Sequence, residues 1–575
     1  MSYTVTDYLL DRLHEVGVEH VFGVPGDFTL SMLDHIEADA RIEWVGCANE
    51  LGAGYAADGY GRIRRMGALC TTFGVGELSA VNAVAGSFAE HVPVLHVVGA
   101  PATGTQAAAR ATHHTLGDGD FRHFARMSTE VTCAEAFLTA ANAEDEIDRV
   151  ITEVLERRLP GYLSIPTDVG ESSATPPSAP LPAHPGVTNP QALAAFEARV
   201  RSLMLPSRSI AILADILVQR MGASDELHAL LDATGAPHAT LMWGRRVVDE
   251  SAANYLGSYV GAVSAPGVRE PIERSDVLIM AGVQWTDLTS GFFSEHLATE
   301  RTVDVGPRSA SVAGETFAPI AMTDALAALV EIAGTLDGAT ASPAVAHPVR
   351  DQHEHAEPLS QATLWDTVAD ALLPHDLVLA DQGTSFYGMG THRLPHDVVF
   401  IGQPLWASIG YTLPAFLGAA LAASDRRPVV LIGDGAAQLT AAELGTIQRN
   451  GLGGIVVVVD NDGYTIERAI RGRHANYNTI ARWDWPTLAN ALGAGARTRA
   501  GADAGADAST VGLVARTVGL VARTVGELRD ALAGAQENPS RLTVVQAVVP
   551  ALDVPPLLAA LAEQASSANA RPQAT

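Results

Sequence analysis

The chain has 575 residues, of which 47% are hydrophobic and 18% charged, and its formal net charge is −28. This length divides among about two to four domains, and the composition suits a helix-covered α/β protein while excluding a disordered or fibrous one. So negative a chain opposes nucleic acid, and an anionic ligand must be held by local groups such as a metal, backbone amides or helix N-termini.

Cys47, Cys70 and Cys133 are an odd number without metal-like spacing, which predicts a reduced, cytoplasmic chain with buried structural cysteines. The opening MSYTVTDYLLDRL has no basic segment followed by an apolar one. No apolar run approaches the roughly 18 residues needed to cross a membrane, so a soluble, untargeted protein with no membrane partner is expected.

Tyr8, Leu9, Leu13 and Val16 have amphipathic spacing that predicts a helix ending at Gly17, with a strand at His20–Gly23 and a turn at Pro25-Gly26-Asp27-Phe28. Strand signals at 42–47, 68–73, 94–98 and 161–165 then alternate with helical ones, the pattern of a doubly wound sheet. A first domain is predicted over residues 1–170, followed by a Pro/Ser/Ala-rich linker at 171–189.

A central α/β domain is predicted over 190–345, with strands at 210–213, 238–242 and 276–281, none leading into a G-x-G-x-x-G dinucleotide turn. A second linker falls at 346–358, a third α/β domain at 359–555 with a strand at 377–380, and a tail at 556–575. Within 501–528, GADA and TVGLVAR each occur twice. Two copies are too few for a coiled coil, so this reads as a local duplication in a surface segment without assigned function.

Residues 428–467, PVVLIGDGAAQLTAAELGTIQRNGLGGIVVVVDNDGYTIE, carry the densest chemistry. A β-branched strand at 429–432 ends in Gly433-Asp434-Gly435, a helix follows, and a second strand at 455–459 ends in Asn461-Asp462-Gly463. Ligands of parallel sheets bind at the carboxyl ends of the strands. There a carboxylate, an amide oxygen and a free carbonyl are hard ligands suited to Mg²⁺ and a diphosphate. Asp27, Glu50, the pair His113-His114 and Glu467 are further polar candidates. Taken singly, Asp27 reads as a helix cap, Glu50 as a first-turn dipole partner and the histidines as surface residues.

The segments FGVPGDF, NELGAGYAADGYGR, TTFGVGELSA, EHVPVLHVVG, HHTLGDGDF, ADQGTSFYG, IGQPLWASIGYT, LIGDGAAQLT and DNDGYTIERAI stand in one order along the chain. Together they closely resemble the thiamine diphosphate (ThDP)-dependent 2-keto acid decarboxylases, the group that acts on pyruvate, indolepyruvate, phenylpyruvate and branched-chain keto acids. The resemblance runs from Tyr3 to about Pro555.

It implies three doubly wound parallel-sheet domains of α/β class: pyrimidine-binding, central and diphosphate-binding. It implies ThDP and Mg²⁺ as cofactors, the metal held by Asp434, Asn461 and the Gly463 carbonyl. Thr384, Ser385, Ala407, Ile409, Gly435, Ala436, Tyr464, Thr465 and Ile466 would line the cofactor, with Ile409 propping its bent shape. Glu50 would activate the pyrimidine ring, reaching it from the neighbouring subunit. A homo-oligomer follows, a dimer or a dimer of dimers such as a homotetramer, with the active site at the subunit interface.

Asp27, His113, His114 and Glu467 would move protons, and Gln382, Phe386, Tyr387, Trp406 and Ile466 match or adjoin the family's substrate pocket. The implied reaction is non-oxidative decarboxylation of a 2-keto acid to aldehyde and CO₂ through the cofactor's ylide and an enamine. ADQGTSFYG is closer to the members acting on branched-chain and aromatic substrates. The alternatives are a carboligase of the acetolactate synthase kind and a non-catalytic ThDP-binding subunit, the latter disfavoured by the presence of Glu50, both histidines and Glu467. Four positions depart from the family pattern: Asp460 for Asn, Ala407 for Gly, Arg471 for His and Thr479 for Asp.

Overall fold

The computed structural model describes residues 3–181, 188–335, 352–493 and 517–570. They build three sheets in chain order, each flanked by helices.

The first sheet holds β1 (His20–Gly23), β2 (Glu43–Gly46), β3 (Gly67–Thr72), β4 (Val94–Ala100), β5 (Ala134–Phe137) and β6 (Gly161–Pro166). Their order is β2-β1-β3-β4-β6-β5 and every pair is parallel. β3 and β4 are buried along their whole length, so they show no alternation of apolar and exposed polar residues, and the polar pair inside them, Thr71 Oγ1 and His96 Nε2, meets at 2.9 Å. The predicted first helix is Val5–Glu15; Thr4 and Asp7 exchange hydrogen bonds in a capping box, and the chain turns at Gly17 with φ 87°.

The central sheet holds β7 (Ile210–Ala214), β8 (His238–Thr240), β9 (Tyr255–Ser258), β10 (Val277–Ala281), β11 (Thr302–Val305), β12 (Ala310–Val312) and β13 (Glu315–Phe317). It is mixed, which corrects the expectation of a wholly parallel sheet: β12 and β13 are antiparallel additions beside β11. Ala313 and Gly314, at φ 52° and 83°, join β12 to β13. A two-residue connection with both φ positive makes a hairpin and leaves no room for a crossover helix.

The third sheet holds β14 (Asp376–Ala380), β15 (Val399–Ile401), β16 (Arg427–Gly433), β17 (Gly454–Asp460), β18 (Thr517–Ala522) and β19 (Leu542–Val548). Its order is β15-β14-β16-β17-β19-β18, all parallel. The second copy of TVGLVAR supplies edge strand β18, with Thr517 and Ala522 buried, so it is an element of the sheet and more than a surface duplication. The first copy lies outside the described residues. The stretch read as a tail contains helix Pro556–Ala570, whose Leu558 and Leu561 are buried in the core of the third unit.

First and third units meet through two small-residue helices. Helix Glu50–Ile63 lies along helix Thr412–Ala422, and their side chains share one apolar cluster that includes Tyr55, Tyr60, Leu413 and Phe416. Gly418 lets the backbones touch, since a Cβ there would stand 1.8 Å from the Ala56 carbonyl oxygen. Cys70 is buried, Cys47 and Cys133 are half-buried, and all three thiols are free. Among the described residues no helix is long and apolar enough to cross a membrane.

Candidate active site

β16 and β17 pair in register, with Gly433 opposite Val459, so the turns that follow them lie side by side. Asp434 opens helix Asp434–Thr440 and is buried; its Oδ1 accepts from Gly435 N at 2.8 Å and its Oδ2 from Gly463 N at 3.1 Å. Asp462 and Gly463 take positive φ, 62° and 122°. The second position needs glycine, because a Cβ on Gly463 would stand 2.2 Å from the Asn478 carbonyl oxygen.

The Asn461 amide points into this turn, 2.7 Å from the Gly463 carbonyl oxygen and 3.2 Å from Asp434 Oδ1. With its nitrogen inward it donates to both, and its oxygen accepts from Thr465 Oγ1 at 3.2 Å. With its oxygen inward, three acceptors converge and require a cation between them. Neighbouring ligands of an octahedral Mg²⁺ lie about 3 Å apart, given bonds of about 2.0–2.1 Å, and the spacings of 2.7 and 3.2 Å fit that arrangement.

Burial pushes the Asp434 carboxyl up to about 7, and Asp460 and Asp462 add to the shift. Asp460, one of the departures from the family pattern, accepts from Gln546 Nε2 at 2.7 Å. Arg468 braces the same turn through carbonyls: it donates to Asn461 O at 3.0 Å, Asn478 O at 3.1 Å and Ala551 O at 3.3 Å, and also to Asp462 O.

Beside the turn, the Tyr464 ring packs over Gly435, leaving no space there for a side chain. When the Asn461 oxygen points inward, Thr465 Oγ1 donates to Ala551 O at 2.9 Å instead. Ile466 is half-buried against the core of the third unit, Ala436 is buried, and Glu467 is exposed in the first turn of helix Thr465–Ile470.

The segments after β14 and β15 face each other across one buried acid. Asp381 Oδ1 accepts from Gly410 N at 3.1 Å, and its Oδ2 from Thr412 N at 3.0 Å and Thr412 Oγ1 at 2.8 Å. Its carbonyl accepts from Phe386 N at 3.1 Å. Asp381 therefore brackets helix Thr384–Met389 and the loop that carries Ala407, Ser408 and Ile409; burial raises its carboxyl to about 6.

Gln382 Nε2 donates to Tyr387 OH at 2.9 Å, while Gln382 Oε1 and the buried Ser385 Oγ have no partner. Thr384 is buried beside them. Orphaned buried acceptors and hydroxyls in a cleft fit a ligand that supplies the missing hydrogen bonds. Phe386 and Tyr387 are packed in the core, Phe386 against Gly402. Ala407 holds φ 57°, the left-handed region in which the family's glycine is at ease. Ile409 is half-buried in the cluster shared with the first unit, and Trp406 lies on helix Val75–Ala89, its Nε1 donating to Asn82 Oδ1 at 2.9 Å.

In the first unit, Asp27 opens a short 3₁₀ turn after β1. His113 Nε2 lies 2.7 Å from Asp27 Oδ2, and His114 Nε2 3.9 Å from Asp27 Oδ1. Phe28 stacks on the His113 ring with centroids 5.1 Å apart. Glu50 begins helix Glu50–Ile63 behind the Asn49 cap, which accepts from Gly52 N at 2.7 Å. Glu50 Oε1 lies 3.4 Å from where a Gly76 Cβ would be, and the Gly74 end of the same turn presses on the His114 carbonyl. One turn thus separates Glu50 from the histidine pair.

Among the described residues, no hydrogen bond or ion pair joins this group to Asp434, Asn461 or Glu467. Glu443 crosses between the units instead: it is buried, and its Oε1 accepts from Ala48 N at 2.9 Å, two residues before Glu50. Asp381, Arg468 and Glu443 are site-shaping residues that sequence reasoning missed. The available hint was an acid or arginine placed next to a motif with no surface role to explain it.

Residues 3–123 match the family described as thiamine pyrophosphate enzyme, N-terminal TPP binding domain; residues 198–332 match its central domain and residues 384–539 its C-terminal TPP binding domain. The chain belongs to the thiamine pyrophosphate enzymes. It is 54% identical over 568 residues to the alpha-keto-acid decarboxylase of Mycolicibacterium paratuberculosis, covering 98% of this chain and 97% of that one. It is 54% identical over 559 residues to the alpha-keto-acid decarboxylase of Mycobacterium ulcerans, covering 97% and 95%. With that of Mycobacterium tuberculosis strain H37Rv it shares 53% over 562 residues, covering 97% and 96%.

Proposed function

We propose that this protein decarboxylates 2-keto acids non-oxidatively to aldehyde and CO₂, using ThDP and Mg²⁺, with branched-chain, aromatic or other nonpolar side chains preferred. The observation that carries the reading is the Asp27–His113–His114 group, set one turn from Glu50, in a chain 54% identical to an alpha-keto-acid decarboxylase.

In this reading Asp434, Asn461 and the Gly463 carbonyl hold Mg²⁺, while Gly435, Ala436, Thr384, Ser385, Ala407, Ile409, Tyr464, Thr465 and Ile466 line ThDP. Ser385 Oγ, buried without a partner, gains one from the bound cofactor. When bound, ThDP supplies the electron sink for the pair left behind by departing CO₂. Glu50 holds a proton against the pyrimidine nitrogen. Asp27 and His113 share a proton across their 2.7 Å contact, with His114 and Glu467 completing a relay that protonates carbon and lets the aldehyde leave. Gln382, Phe386, Tyr387, Trp406 and Ile466 shape the substrate pocket.

The first- and third-unit groups, which no hydrogen bond or ion pair joins among the described residues, complete each other across a subunit interface in a dimer or dimer of dimers. A cytoplasmic homotetramer is the corresponding assembly. Purified protein with ThDP and Mg²⁺, given a panel of 2-keto acids and assayed by coupled aldehyde reduction, tests the reading. Hydroxyketone as the main product would replace it with a carboligase, and no CO₂ from any keto acid would leave a cofactor-binding subunit.

A further inference from the structure

Among the described residues one group of three places metal-ligating atoms within 4.8 Å of one another: Asp27, His113 and His114. The donor set is two imidazole nitrogens and one carboxylate oxygen. Imidazole selects Zn²⁺ and its first-row neighbours, whereas Mg²⁺ favours oxygen alone. The group therefore differs in kind from the all-oxygen turn at Asp434, Asn461 and Gly463.

Both imidazoles present Nε2 to the same carboxylate, at 2.7 Å from Oδ2 and 3.9 Å from Oδ1. Tetrahedral ligands with bonds of about 2.0–2.1 Å lie about 3.4 Å apart. The His113 contact has to open by about 0.7 Å, and His114 has to close by about 0.5 Å or more onto the ligating oxygen. In the single chain the side chains have that freedom, being 45%, 60% and 30% exposed at Asp27, His113 and His114. Phe28 orients both rings, stacking on His113 at 5.1 Å and meeting His114 edge-on at 6.2 Å between centroids.

We propose that Asp27, His113 and His114 bind a divalent transition-metal cation of the Zn²⁺ class, and that its occupation arrests the reaction. The cation displaces the proton shared by His113 and Asp27, because a ligating imidazole and carboxylate must both be unprotonated. The arrest rests on the proposed function, in which those same groups carry protons; the binding does not.

The test uses the full chain loaded with ThDP and saturating Mg²⁺. Zn²⁺ uptake by equilibrium dialysis is compared for wild type, His113→Gln and Asp27→Asn, with Co²⁺ absorption as a second probe. Wild type is expected to take up one more Zn²⁺ per chain than either variant, with affinity about tenfold or more above theirs, since loss of outer partners alone costs that much. Zn²⁺ is also expected to abolish aldehyde formation with ThDP retained, reversibly on chelation. Equal uptake by wild type and variants overturns the site. Site-dependent uptake with undiminished turnover overturns the arrest. An enzyme that never releases CO₂ fails the functional reading alone, and dialysis still decides the site.

Discussion

Gly59 and Ala415 stand so close that a Cβ on Gly59 would lie 2.3 Å from the Ala415 carbonyl oxygen. The contact joins the helix that begins at Glu50 to the helix that follows Ile409, so it fixes the spacing of a first-unit segment and a third-unit segment within one chain. Gly59→Ala and Gly418→Ala should each cost about 1–3 kcal/mol or more through overpacking. A lowered unfolding midpoint, measured by thermal denaturation, is the expected result, and unchanged midpoints would reject the close-packing argument.

Asp381 accepts three hydrogen bonds from Gly410 and Thr412. Asp381→Ala leaves those buried donors unpaired, at about 1–3 kcal/mol for each that stays unsatisfied. It should also weaken ThDP binding by loosening the Ala407–Ile409 loop. Titration of ThDP by intrinsic fluorescence checks this, with Asp381→Asn expected to fall between wild type and Ala.

Ala407 occupies φ 57°. A left-handed conformation costs a residue with a side chain about 1–2 kcal/mol relative to glycine, so Ala407→Gly should stabilise the protein by an amount of that order. The denaturation midpoint should rise; a fall would show that this loop gains more from restricted unfolded-state freedom.

The Asp434 carboxyl is pushed up to about 7 by burial and by Asp460 and Asp462. A raised carboxyl holds its proton below that pH, and the proton must leave before a cation is ligated. Mg²⁺ affinity should therefore strengthen as pH rises through about 7 and weaken as it falls. Asp460→Asn removes one raising charge and should move that transition to lower pH. Calorimetric Mg²⁺ titrations across the range provide the measurement.

Glu467→Gln keeps the side chain's shape and removes its proton. Positioned acid–base groups contribute about 10²–10⁴ in rate, so decarboxylation should drop by at least the lower of those factors. An undiminished rate in the coupled assay would remove Glu467 from the relay.

Much of this was readable from local residue pattern. Runs such as VVLI and IVVVV mark strands buried on both faces, and Gly-Asp-Gly or Asn-Asp-Gly after a strand marks a turn at the carboxyl edge. The hairpin of β12 and β13 was not readable, because three-residue strands carry too little periodicity to separate from loop. Nor was the burial of Leu558 and Leu561, which depends on a distant apolar surface that receives them.

Residue order and periodicity thus suffice for fold class, the sequence of units and the chemical types gathered at each strand end, since these follow from which faces must be buried. Packing in three dimensions alone settles which groups meet. Glu443 holds Ala48 across 395 positions of sequence, Asp381 reaches Gly410 and Thr412, and Asp27 finds His113. Such contacts arise when whole sheets and helices dock, and no local propensity records the partner.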